Sequence, residues 1–256
     1  IKEAMRKKDI ENRMNFALES GEFKVYLQPQ YLLNSESIVG AEALVRWIPD
    51  NGQIVYPNDF IPIFERNGFI IQLDLYMFEQ VCKIIKNWIE KGETPVHISV
   101  NFSRLHLRNT NFVNSLCQIA DRHGVPHKFL MVEITESTIF DNEAALMCIL
   151  QELHAQGFTL AMDDFGAGYS SLGLLKNIPV DVIKLDKSFL DKVSDTERSH
   201  VVLANVIRLA KDLRIHTIAE GVETAENVDI LKSLGCDTVQ GYYYARPMPH
   251  ESFKLC

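Results

Sequence analysis

The chain has 256 residues, 46% hydrophobic and 23% charged, a length and composition that fit one large α/β barrel or two average domains. A formal net charge of −8 argues against a broad DNA or RNA groove, which holds phosphates on a basic surface. No apolar run approaches the ~20 residues of a membrane-spanning helix, and none follows the basic amino end as in a signal peptide. The five cysteines, Cys82, Cys117, Cys148, Cys236 and Cys256, form no CxxC pair. They read as reduced thiols of a cytoplasmic protein rather than a disulfide framework or zinc site. A chain that begins at Ile1 is expected to be part of something longer.

Residues 1–20 carry Ile10, Met14 and Ala17 at helical spacing and predict an amino-terminal linker helix that Gly21 ends. Strand patterns at 24–28 and 38–45 flank a short polar stretch, Asn34-Ser35-Glu36. No crossover helix fits there, so this pair is expected to be antiparallel. Strand patterns at 96–100, 130–134, 159–162, 182–185, 216–219 and 238–240 then alternate with helical patterns. The helices fall at 74–91, 111–123, 143–156, 198–213 and 225–234. Such alternation predicts a parallel sheet covered by helices. Eight strands predict a barrel, a modified TIM (β/α)₈ fold with its first strand antiparallel, in one domain over 21–256. The alternative, an open doubly wound sheet, lacks its GxGxxG fingerprint. No GxxxxGK[ST], HExxH or GxSxG occurs either.

Polar residues sit inside or just after the apolar strand patterns: Glu42, Asn101, Glu133, Asp163, Asp164, Lys184, Glu220 and Gln240. Any one of them alone reads as a solvated strand end or a helix cap. As a set they would meet at the barrel mouth, where the carboxyl ends of parallel strands converge. Carboxylates gathered there repel one another and raise each other's pKa values unless cations intervene. All-oxygen ligands favour Mg²⁺ or Mn²⁺ over zinc, and a cluster this rich fits two ions about 3.5–4 Å apart, the arrangement suited to phosphoester hydrolysis.

The same residues carry a resemblance. Glu42-Ala43-Leu44-Val45-Arg46-Trp47 resembles the signature of the EAL family. In order follow Ser99-Val-Asn101-Phe-Ser103, Glu133-Ile-Thr-Glu136-Ser137, Asp163-Asp164-Phe-Gly166-Ala-Gly168 and Ile183-Lys184-Leu-Asp186. Ala219-Glu220-Gly-Val-Glu223 and Gln240-Gly241-Tyr242 complete the series. The likeness runs from about Gly21 to Pro249, and it implies a barrel enzyme that opens cyclic di-GMP into linear 5′-pGpG with two Mg²⁺ or Mn²⁺ ions. It implies Glu42, Asn101, Glu133 and Asp163 as ligands of one metal, Asp163 as the bridge and Asp164 completing the second site. Lys184, Glu220 and Glu42 are then the catalytic group, with Lys184 holding the attacking water. Gln28, Arg46 and Gln240 are the substrate contacts, the guanidinium being suited to paired bonds with phosphate. Glu136 anchors the loop of Asp163–Leu172. The resemblance further implies a homodimer and fusion to an upstream sensory or GGDEF module.

Departures occur at Gln30 (usually aliphatic), Ile48, Phe102, His106 and Ala167, and none removes a ligand or charge. Lys187 reads as surface charge. The rival function is a catalytically silent sensor of cyclic di-GMP, whose relatives typically lose an acidic ligand or part of the Asp-Asp-Phe-Gly segment. A barrel acting on sugar phosphates would need a terminal-phosphate site after the last strands, and the segment Gln240–Tyr244 offers little to make one.

Overall fold

Helix α1 (Lys2–Glu19) leads into the hairpin of β1 (Phe23–Leu32) and β2 (Ile38–Trp47) in the computed structural model, which describes residues 2–140, 143–166, 175–191 and 197–255. The hairpin is antiparallel, with Gln28 opposite Glu42 and Gln30 opposite Gly40, as the short turn requires. Pro29 lies within β1 and faces Ala41. A proline donates nothing to a ladder, and for that reason the strand pattern stops at Gln28 while the strand itself runs on to Leu32.

Strands β3 (His97–Asn101), β4 (Leu130–Thr135), β5 (Thr159–Phe165), β6 (Val182–Leu185), β7 (His216–Ala219) and β8 (Thr238–Val239) follow β2 in parallel register. Strand β8 then pairs antiparallel with the far end of β1, Tyr31 opposite Val239, and the ring closes. The predicted barrel with one reversed strand is therefore the observed one. A short strand β9 (Met248–Pro249) adds to the other half of β1.

Around the barrel lie α2 (Pro57–Asn67), α3 (Ile70–Glu90), α4 (Phe112–His123), α5 (Glu143–Ala155), α6 (Ser188–Asp191), α7 (Glu197–Asp212) and α8 (Ala225–Leu234). Sequence patterning missed α2 because it holds two prolines. Pro57 occupies the first turn, where its missing N–H costs nothing, and Phe60, Ile63 and Phe64 bury one face despite Pro62. Helix α3 starts four residues before its predicted edge. No helix among the described residues is long and apolar enough to cross a membrane.

Outward-facing strand residues such as Ala41, Ile98, Val132, Leu160 and Ile183 pack against the helices in one continuous core. Helix α1 joins that core through Ile10 and Ala17, both buried. It is also latched electrostatically. The buried Glu22 carboxylate accepts from Trp47 Nε1 at 2.7 Å and from Arg13 of α1 at 3.0 Å.

Truncating Glu22 leaves the indole N–H buried and unpartnered. Glu22→Ala is expected to lower unfolding free energy by about 2 kcal/mol, read as a shifted urea midpoint. An unchanged midpoint would show that the latch carries no weight.

Candidate active site

Alternate residues of the strands face the barrel interior, and the layer nearer their amino ends is apolar. Met131, Ala161, Val182 and Ile218 form a buried cluster of their own there. Two residues further along the same four strands stand Glu133, Asp163, Lys184 and Glu220. Strands β2 and β3 bring Glu42 and Asn101 to this level, and Gln240 follows β8. The change from apolar to charged within two residues marks the floor of the mouth.

Lys184 is fully buried at the centre. Its Nζ lies 2.7 Å from Glu220 Oε1, 3.0 Å from Glu133 Oε2, 3.2 Å from Glu42 Oε2 and 3.3 Å from Asp163 Oδ1. Burial alone would lower the lysine's pKa, but Glu133, Glu220, Glu42 and Asp163 outweigh it and hold it well above the usual value. The carboxylates share that one charge unequally. Burial pushes Glu42 upward, yet Lys184 together with amide donors from Gln240 at 2.6 Å and Asn101 at 2.8 Å brings it below the ordinary range. Glu133 stays well above it, because burial and the neighbouring Glu42 and Asp163 outweigh Lys184. Burial pushes Glu220 up to about 8 against the pull of Lys184.

In a regular strand Asp163 and Asp164 would point to opposite faces. Here the β5–β6 register breaks between Met162 and Phe165, and Asp164 adopts φ 55°. Its N–H donates to Asp163 Oδ1 at 2.9 Å, and carboxylate oxygens of Asp163, Asp164 and Glu220 lie within 4.8 Å of one another. The break thus brings both aspartates to the mouth. Gly166 follows at φ +97°, where the ring of Phe189 occupies the space a side chain would take. Its N–H donates to the buried Glu136 Oε2 at 3.1 Å. Residues 167–172 of the predicted loop, with the departure Ala167, lie outside the described residues.

The donor set fits a hard divalent cation. Four carboxylates surround a single ammonium, and Glu133 Oε1 is buried with no hydrogen-bond partner among the described residues. Every candidate ligand atom is an oxygen, the set that Mg²⁺ and Mn²⁺ prefer.

The mouth opens into a cleft of about 410 Å³ lined by Gln28, Glu42, Asp163, Glu220, Gln240 and Tyr242. Asp186 and Lys187 also line it, Lys187 as the exposed surface charge that sequence reading expected. Its Cβ packs against Gly221, and the only sequence signal was its place just after β6. A second cavity, about 540 Å³, shares Leu44 in its wall with the first and is bounded by Ile61, Met77, Phe102 and Ser103. Beneath it the departures Phe102 and His106 meet edge to face, and His106 Nε2 lies 3.0 Å from Asp74 Oδ2. Arg46 stands apart from the acidic ring. Its guanidinium lies over Tyr26, 5.6 Å from the ring centre, and donates to the Val45 carbonyl at 2.8 Å.

The chain matches the EAL domain family over residues 11–247, and it belongs to that family. It is 34% identical to the cyclic di-GMP phosphodiesterase RocR of Pseudomonas aeruginosa over 236 residues, 92% of this chain and 60% of RocR. It is 33% identical to the bifunctional diguanylate cyclase/cyclic di-GMP phosphodiesterase MucR of the same organism, over 92% of this chain and 34% of MucR. The solved PaMucR phosphodiesterase in complex with c-di-GMP superposes with TM-score 0.89 at 32% identity, covering 95% of this chain and 98% of that one. The Xanthomonas citri FimX EAL domain, at 21% identity, TM-score 0.90 and 99% coverage of both chains, shares the fold. The chain spans about a third of the length of the first curated relatives it matches.

The raised Glu220 carboxyl gives a pH test. A folded pKa near 8 against the ordinary 4.5 means that the folded state holds a proton the unfolded chain has lost. That stabilisation is complete below the lower value and is lost as pH rises through the upper one. In chelator, the melting temperature is expected to fall as pH rises from about 5 to about 8.5, and Glu220→Gln to flatten the profile. Parallel profiles would refute the shift.

Proposed function

We propose that this domain hydrolyses cyclic di-GMP to linear 5′-pGpG with two Mg²⁺ or Mn²⁺ ions. The observation that carries this reading is the complete ring of Glu42, Glu133, Asp163 and Glu220 around Lys184, with Asp164 beside it. Glu42, Asn101, Glu133 and Asp163 would hold one ion, and Asp163 with Asp164 the other. Bound there, the ions supply positive charge to the phosphate and make water easier to deprotonate.

The chain's own groups do the rest. Glu220, which lines the cleft with Oε1 2.7 Å from Lys184, is placed to take the proton of the attacking water once the ions' charge holds it as a carboxylate. Lys184 fixes the geometry of that carboxylate and stabilises the developing negative charge. Water adds to phosphorus as the P–O3′ bond breaks; the water's proton passes to Glu220, and the departing 3′ oxygen takes up a proton from solvent in the cleft. The two cavities, which share Leu44 in their walls, suit a ligand with two base-bearing halves, the apolar one taking a base and the acidic one the scissile phosphate. Gln28 and Gln240 border the acidic cleft, and Arg46 reaches a phosphate from its perch on Tyr26. In the whole protein the domain acts in the cytoplasm as a homodimer beneath a sensory or GGDEF module. Relatives in that register include the oxygen sensor protein DosP of Escherichia coli, of which this chain covers 29%.

Incubation of the purified domain with cyclic di-GMP and Mn²⁺ is expected to yield the linear dinucleotide, which is cut further only slowly. Glu42→Ala is expected to abolish this, by about 100-fold or more, with the circular dichroism spectrum kept. Binding of the nucleotide in chelator without turnover in Mn²⁺ would favour a silent sensor. Unchanged turnover of Glu42→Ala would refute the ligand assignment.

Glu136 tests the loop. Its bond to Gly166 N–H fixes the residue two past Asp164, in a Gly- and Ser-rich segment that is costly to order. Glu136→Ala is expected to raise the Mg²⁺ concentration needed for half-maximal turnover about tenfold while leaving the urea midpoint near wild type. Wild-type kinetics across a Mg²⁺ titration would show that the loop needs no such anchor.

A further inference from the structure

Gln30 lies on the interior face of β1 two residues from Gln28 and is buried. It ends a chain of side-chain amides. Gln30 Nε2 donates to Gln240 Oε1 at 2.9 Å. Gln240 Nε2 donates to Glu42 Oε2 at 2.6 Å and to Gln28 Oε1 at 3.1 Å. Gln28 Nε2 donates in turn to the Ala245 carbonyl at 3.2 Å.

The polarity of this chain is fixed from both ends. A carboxylate and a backbone carbonyl can only accept, so Gln240 must turn its NH₂ to Glu42 and Gln28 must turn its NH₂ to Ala245. The Gln240 carbonyl then faces the other way, buried, and needs a donor. Gln30 supplies it. An aliphatic side chain at this position supplies none, and the buried Gln240 carbonyl then loses the bond that holds the amide from behind against Glu42 and Gln28.

The backbone opposite is shaped for the Gln30 amide. Gly40 faces Gln30 across the hairpin, and a Cβ at Gly40 would come 2.7 Å from Gln30 Oε1. The bare glycine leaves the seat in which the amide lies.

We propose that Gln30 is a positioning residue, which fixes the orientation of the Gln240 amide and through it holds Glu42 ready for the cation. It rests on the reading of the acidic ring as a cation site. Among the described residues Gln30 donates to Gln240, and it is through that amide that it acts on the ring. Glu42 is thereby gripped on both oxygens, by Asn101 on Oε1 and by Gln240 on Oε2, before any ion enters.

The test compares Gln30→Met, which removes the donor at similar volume, with Gln30→Glu, which replaces it by acceptors. Two readouts use metal-free protein and need no turnover: hydrogen-exchange protection of the Gln240 side-chain NH₂ by NMR, and Mn²⁺ affinity by calorimetry. Both variants are expected to lose that protection and to bind Mn²⁺ about tenfold more weakly, with Gln30→Glu the worse. Gly40→Ala, which crowds the Gln30 amide without changing it, is expected to give the same signature and serves if a Gln30 variant misfolds. Unchanged NH₂ protection and Mn²⁺ affinity in a folded variant would overturn the proposal, whatever the melting temperature does. Absence of cyclic di-GMP hydrolysis by wild-type protein that shows both signatures would sink the activity reading and leave the role of Gln30 standing.

Discussion

Everything at the mouth of this barrel answers to one buried ammonium. Lys184 touches four carboxylates at 2.7 to 3.3 Å, and at an effective dielectric near 20 each such contact is worth about 5 kcal/mol before desolvation is charged against it. One positive charge cannot satisfy four negative ones. Glu42 is settled because two amides assist the lysine, whereas Glu133 and Glu220 have their pKa values pushed upward. The arrangement is incomplete as electrostatics, and its all-oxygen donor set fits the divalent cations that would complete it.

The barrel creates that conflict by geometry. Four of its strands, β4 to β7, place an apolar residue two positions before the charged one, so a layer of Met131, Ala161, Val182 and Ile218 lies beneath Glu133, Asp163, Lys184 and Glu220. The apolar floor limits solvation of the charges above it, and this burial is the first cause of every raised carboxyl pKa there. Two local irregularities adapt the regular barrel to the site. The broken register at Asp163–Asp164 gives two aspartates where a strand would give one. The reversed first strand lays Gln28 and Gln30 against Glu42 and Gly40, and the amide chain grows from that pairing.

The second cavity shows how departures from a family pattern can be absorbed without touching the charges. Phe102 and His106 pack edge to face, and His106 finds its partner in the buried Asp74 of α3. Ile48 makes only a backbone bond, its N–H donating to the Glu22 carbonyl at 2.8 Å. Such changes alter the walls around the mouth and leave its charge intact.

The strand order and the set of ring residues were legible because both depend on local facts. Period-2 apolar runs separated by helical patterns define a barrel, and a polar residue interrupting such a run stands out against its neighbours, as Glu42, Glu133 and Lys184 do. Helix α2 was not legible, since the evidence for it is a buried face of Phe60, Ile63 and Phe64 that outweighs Pro62 only once the barrel is there to bury it. Nor were the place of Lys187 at the cleft, the turn of Arg46 onto Tyr26, or the donor role of Gln30. The sequence by itself determined which groups arrive at the mouth, because alternation along a strand is a property of the chain. Only the tertiary structure decided how those groups share their protons and hydrogen bonds, because charge, burial and amide polarity depend on neighbours as far as 217 residues apart in sequence, the separation that links Gln28 to Ala245.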